Sequence, residues 1–143
     1  MKKIILIVLV FTYTSSYGQT KDDCKVMIDS AIAMQKAVYR PNIYLIDEKD
    51  QPYLLSADEL RKKFKHISLY EAQNKKLLKQ GINAWKIFPI LNGNRMTINI
   101  IDFIITYSKN NYAFKNGGGA TVIFEYSCDS NKWILLENKW SGI

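Results

Sequence analysis

The chain has 143 residues, 20 Lys plus Arg against 13 Asp plus Glu, a formal charge of +7, one histidine and two cysteines. A chain of this size holds one core and rarely two, and its basic residues are scattered among acids, without the basic face and interleaved aromatics that nucleic-acid binding needs. The richest basic stretch, Arg61-Lys62-Lys63-Phe64-Lys65-His66, reads as a solvated helix face, with attraction to anionic lipid or an acidic partner as the second reading.

Lys2 and Lys3 precede an apolar run over residues 4–11 and a polar stretch ending Ser16-Tyr17-Gly18-Gln19, the layout of a secretory signal. Small residues at Ser16 and Gly18 place the cut between Gly18 and Gln19. Residues 1–18 are then the leader and residues 19–143 a single mature α+β domain, periplasmic or secreted. The apolar run is about half of the roughly 20 residues that cross a bilayer, so no membrane span is expected after cleavage. Cys24 follows Lys21-Asp22-Asp23 rather than a small apolar lipobox. Export also sets the redox state: oxidising surroundings favour a disulfide, and Cys24 with Cys128 is the one intramolecular pairing. A metal site or a cysteine nucleophile lacks support, because there is no CxxC spacing and His66 stands alone.

Along the mature chain, Cys24, Met27, Ile28, Ala31, Ile32 and Val38 recur at three- and four-residue intervals, predicting an amphipathic helix that Arg40-Pro41 ends. Residues 43–46 read as a short strand, 47–51 as its turn and 53–55 as extended chain. Ser56 with Glu59 forms a capping box that predicts a helix over 57–65. Ser68 with Glu71 repeats it, for a second short helix stopped by Gly81. Beyond Gly81 the period becomes extended. Asn92-Gly93 is a tight-turn dipeptide pairing 82–91 with 94–107, which puts Trp85, Ile87, Met96, Ile98 and Ile100 on a core face and Lys86, Arg95, Thr97 and Asn99 on the other. A second hairpin joins 120–127 to 132–139 through Asp129-Ser130-Asn131, with Val122, Phe124, Tyr126 and Cys128 facing inward. The stretch 108–119, with Asn110-Asn111 and Gly117-Gly118-Gly119, reads as a poorly ordered loop between the hairpins.

The expected fold is therefore α+β: an amino-terminal amphipathic helix and short helices packed on a bent antiparallel sheet of two carboxyl-terminal hairpins. This element order resembles the cystatin-like and NTF2-like α+β folds, in which a sheet wraps around a long helix. No residue motif accompanies the resemblance, so it implies no catalytic or binding residue.

Asp102 interrupts an apolar strand face, where an unpaired carboxylate is costly. The expected register sets it opposite Asn83 and near Trp85. It is either the polar group of a cavity mouth among Trp85, Phe103 and Tyr107, or a residue at a bulge or at an end of the face open to solvent. Lys115 precedes the triple glycine, which opens a strand, the reverse of a phosphate loop. His66 has neither an oriented nucleophile nor a second histidine, and its plain role is a helix-end cation. These observations imply no cofactor or metal. They point to a non-enzymatic exported binding protein, an inhibitor or immunity-type partner of another protein or a small-ligand carrier, with a contact surface at Trp85, Asp102, Tyr107, Gly117 and Gly118. The second hypothesis is a small cavity hydrolase or isomerase using Asp102 with Tyr107 or His66.

Overall fold

A computed structural model describes residues 21–35 and 40–142. The expected secretory leader, the expected cut after Gly18 and Val38 at the predicted end of the first helix lie outside these residues. The chain forms helices α1 (Lys21–Met34), α2 (Asp58–Arg61) and α3 (Lys75–Gln80) and strands β1 (Ile43–Ile46), β2 (Phe64–Lys65), β3 (Ile82–Asn92), β4 (Arg95–Ser108), β5 (Asn111–Ser127) and β6 (Lys132–Gly142). The fold is α+β, and most of it is one six-stranded sheet in the order β2-β1-β3-β4-β5-β6, curled into a half-barrel. The sheet is mixed rather than antiparallel: β1 runs parallel to both β2 and β3, and the remaining strands form an antiparallel meander.

The turns set this meander. The first hairpin turns at Gly93-Asn94, since Asn92 pairs with Arg95, and Gly93 takes the positive φ of 60° that a turn opening on glycine requires. The register is thereby two residues away from the one expected around Asn92-Gly93, and Asp102 lies opposite Trp85 instead of Asn83. A two-residue slip preserves the alternation, so Trp85, Ile87, Met96, Ile98 and Ile100 are all buried on one face as read from the sequence. The stretch 108–119 is no loop. Lys109 and Asn110 both adopt left-handed φ, 48° and 64°, and form a tight turn. Tyr107 then pairs with Tyr112 and the ladder continues through the glycines, making β5 17 residues long.

Two apolar clusters lie on opposite faces of this sheet, offset along the strands. On the first, here the helix face, Met27, Ile28, Ala31 and Ile32 of α1 pack on Trp85, Ile98, Ile100 and Val122. On the other face, Leu78 of α3 with Ile67 and Leu69 covers Ile82, Ala84, Ile105 and Tyr107. All four residues of β1 are buried, Ile43 and Leu45 in the first cluster and Tyr44 and Ile46 in the second. Buried Asp29 fixes α1 by accepting hydrogen bonds from the Tyr53 hydroxyl and the Ser56 amide, each at 2.8 Å. At the other end, buried Gln35 donates to Asn138 of β6 at 2.9 Å.

The short helices differ from expectation. The predicted 57–65 helix is the single turn α2 followed by β2. The Ser56 amide is taken by Asp29, and the α2 N-cap is Ala57, without a side-chain cap. The Ser68–Glu71 segment forms a turn before a short 3-10 helix that leads into α3, which Gly81 caps as predicted. The Cys24–Cys128 bridge does not form: both thiols are free and out of disulfide range. Cys24 packs on the core at the end of α1 whose Lys25 reaches the Leu54 carbonyl, whereas β5 ends at Ser127 and leaves Cys128 exposed in the turn beyond it.

The glycine triplet is a place of close backbone approach. A Cβ on Gly119 would collide with the Ile100 carbonyl of β4, and one on Gly118 would lie 2.5 Å from the Ser141 carbonyl of β6. Gly119→Ala is expected to destabilise the protein by about 1–3 kcal/mol through this overpacking, read as a lower urea midpoint at unchanged slope. An unchanged midpoint would show that the strands do not pinch there.

Candidate functional site

The predicted site residues separate. Trp85 is 1% exposed, packed between the tilted rings of Phe64 and Trp140 at centroid distances of 5.5 and 5.7 Å. Tyr107 is buried in the opposite cluster, against Tyr112. Neither can touch a partner. His66 is exposed in the chain after β2. Asp102, on the helix face, Tyr107, on the other face, and His66 therefore do not form one constellation.

Asp102 and Gly117 are brought together. Pairing between β4 and β5 skips at Asp102, between Ile101 and Phe103, and a Cβ on Gly117 would lie 3.5 Å from the Asp102 carboxylate. The carboxylate is 6% exposed and meets the Arg40 guanidinium at 3.5 Å. On the same face Ile104 is already 41% exposed. Asp102 thus marks the place where the helix-face core ends; the bulge lies not in its own strand but opposite, where Gly117 and Gly118 of β5 face Asp102 alone. Burial raises its pKa above the usual 3.8, and Arg40 partly offsets that rise.

Beyond α3, no element among the described residues covers the face opposite α1 over β3 to β6. Register places Phe88, Ile101 and Ile123 there, half-buried, with Ile90 and Ile134 exposed at 53% and 43%. At its centre Thr121 donates to Asn99 at 2.9 Å. Beside that pair an open groove of about 380 Å³ runs over Gly118 and Gly119, between Asn116, Ile101 and Ser141. A second groove of about 540 Å³ lies by Ile90, Thr97 and the Arg95–Glu125 ion pair, whose atoms are 2.8 Å apart. At the other end Lys86 bonds Asp50 at 2.6 Å and lies over the rings of Phe88 and Phe114. Asp50 also accepts from Tyr70 at 2.6 Å, which pushes that phenol up to about 12, with burial as the second cause. Among the described residues no cluster of His, Cys, Asp and Glu could hold a metal ion.

Of the predicted residues, only Gly118 lines this face, and Asp102 with Gly117 lies behind it. Asn99, Thr121, Thr97, Arg95 and Glu125 were missed. Their signal was present in the alternation: a strand with one solvated face carries polar residues there, yet Phe88, Ile90, Ile101 and Ile123 occupy those positions.

Because the folded state binds the Asp102 proton more tightly than the unfolded state does, ionising this carboxyl costs stability as pH rises from 3.8 through its raised pKa. Asp102→Asn removes that cost and gives up only an ion pair whose arginine is 58% exposed, worth little. The variant is expected to unfold at higher urea than wild type at neutral pH and to converge with it at about pH 3. A variant less stable at neutral pH would contradict the burial cost. Comparison of the chain with protein-family models, curated proteins and solved structures finds no match.

Proposed function

We propose that this is an exported, non-enzymatic binding protein whose partner is another protein, held on the uncovered face of β3 to β6. The observation that carries the reading is the composition of that face. Aliphatic and aromatic side chains surround one neutral hydrogen-bonded pair, Asn99 with Thr121, and ion pairs stand at two ends, Lys86–Asp50 and Arg95–Glu125. An apolar centre with a polar rim is the anatomy of a protein interface. Exposed apolar sheet surface of this kind is otherwise a liability.

The small-ligand carrier is less well supported. Small-molecule sites enclose most of their ligand, whereas the grooves here are open and the helix face of the sheet is filled by Trp85, Met96 and Phe124. The hydrolase or isomerase reading is also less well supported, since Asp102 and Tyr107 lie on opposite faces and β1 and β3 stand between Asp102 and the strand that His66 follows. Export rests on the leader, and the cystatin-like or NTF2-like relationship rests on element order.

Ile123→Arg puts a charge in the middle of the face without touching either core. Crosslinking capture from the exported fraction is expected to retain a partner with wild type and with Leu54→Arg, at an exposed position away from the sheet, and to lose it by about tenfold or more with Ile123→Arg. Equal capture by all three at equal thermal stability would remove the face as the binding surface.

A further inference from the structure

The sheet has two edges of unequal kind. One is β2, only two residues long. The other is β6, eleven residues long, exposed at every position except the half-buried Trp133 and Trp140. It contains no proline. Ile134, Leu135 and Leu136 are consecutive and 43%, 44% and 51% exposed. Exposed edges are normally blunted by shortness, charge, proline or a bulge. Here the bulge is at Leu136, because Ile123 pairs with Glu137 and Phe124 with Leu135. Beyond the bulge the strand is regular to its end, and only Glu137 and Lys139 are charged there.

Those two charges are arranged for self-pairing. Glu137 and Lys139 are opposite Ile123 and Thr121 and so share the uncovered face, while Asn138 between them turns to the helix face and meets Gln35. Two copies of an edge strand pair antiparallel about a two-fold axis perpendicular to the sheet, which keeps like faces together. When that axis passes through Asn138, Glu137 of each copy falls opposite Lys139 of the other, so two opposite-charge cross-strand pairs form at once. Leu136 then falls opposite Trp140. Moving the axis to residue 137 or 139 sets Glu137 or Lys139 against itself. No ion pair among the described residues engages either charge.

We infer that β6 is a homodimerisation edge: a second copy of the chain adds its own β6 antiparallel, in the register that sets Glu137 against Lys139 twice. The partner is specified by the strand's own charge order, and the two uncovered faces become one continuous surface. This inference does not rest on the face-binding reading, because pairing at the edge leaves Ile123 and the Asn99–Thr121 pair untouched.

Sedimentation velocity over a concentration series tests it with the exported protein. Wild type is expected to show a reversible monomer–dimer equilibrium. Lys139→Glu turns both cross-strand pairs into repulsions and is expected to weaken dimerisation by about tenfold or more. The double exchange Glu137→Lys with Lys139→Glu recreates both pairs and is expected to restore the wild-type constant to within about threefold. All positions are exposed, so circular dichroism and thermal stability of the monomer should not change. A wild type that stays monomeric at about 100 µM overturns the inference. So does a dimer that is indifferent to Lys139→Glu, or one that the double exchange does not restore.

Discussion

The structure depends on one sheet having to serve two cores. β4 buries Met96, Ile98, Ile100 and Asp102 towards α1, then Ile105 and Tyr107 towards α3, so its buried side changes between Asp102 and Ile105. β3 makes the same exchange between Ala84 and Trp85. Neither cluster spans the sheet alone, and the long central strands hold them together. The crossing point is where the β4–β5 ladder bulges and where Gly118 and Gly119 let β4, β5 and β6 approach closer than any side chain would permit.

The open surface follows from that offset. α1 reaches along the helix face as far as Gln35, which holds Asn138 of β6. α3 is only six residues long, so it covers the near half of the other face and stops. What remains on that side is a stretch of β3 to β6 whose outward positions are more apolar than a solvated strand requires. The buried carboxylate behind it is a cost of the same geometry: Asp102 lies on the helix face where that core ends, meets the Arg40 guanidinium and holds its proton more tightly for being buried there. Function on this account belongs to the face and its edge rather than to a pocket.

The alternation of Trp85, Ile87, Met96, Ile98 and Ile100 was legible because period-two patterning survives a slip of two residues in register, and Gly81 was legible as a cap because a helix stop needs little beyond its own backbone. The strand through 108–119 was not, since Lys109-Asn110 is a weak turn signal and three glycines suggest flexibility unless the neighbouring strands are known to press on them. The capping box at Ser56 failed because tertiary structure claimed its amide for Asp29. The disulfide rested on both cysteines facing the core, and Cys128 lies one residue past the end of its strand. Gly118 is on the site because its backbone forms the groove floor. Trp85 and Tyr107 are not, because aromatic size drew them into the two cores.

Among the described residues the face of β3 to β6 opposite α1 is open, while the face behind it is sealed. Single cysteines introduced into a Cys24→Ser, Cys128→Ser background, at Thr97 and Thr121 on the open face and at Ala120 and Val122 on the sealed one, measure it through alkylation rates in the native protein. Cysteines at the half-buried positions 97 and 121 are expected to react about a hundredfold or more faster than those at 120 and 122, which react only as fast as the protein opens globally. Fast labelling at Val122, or protection at Thr121 in dilute monomeric protein, would contradict it.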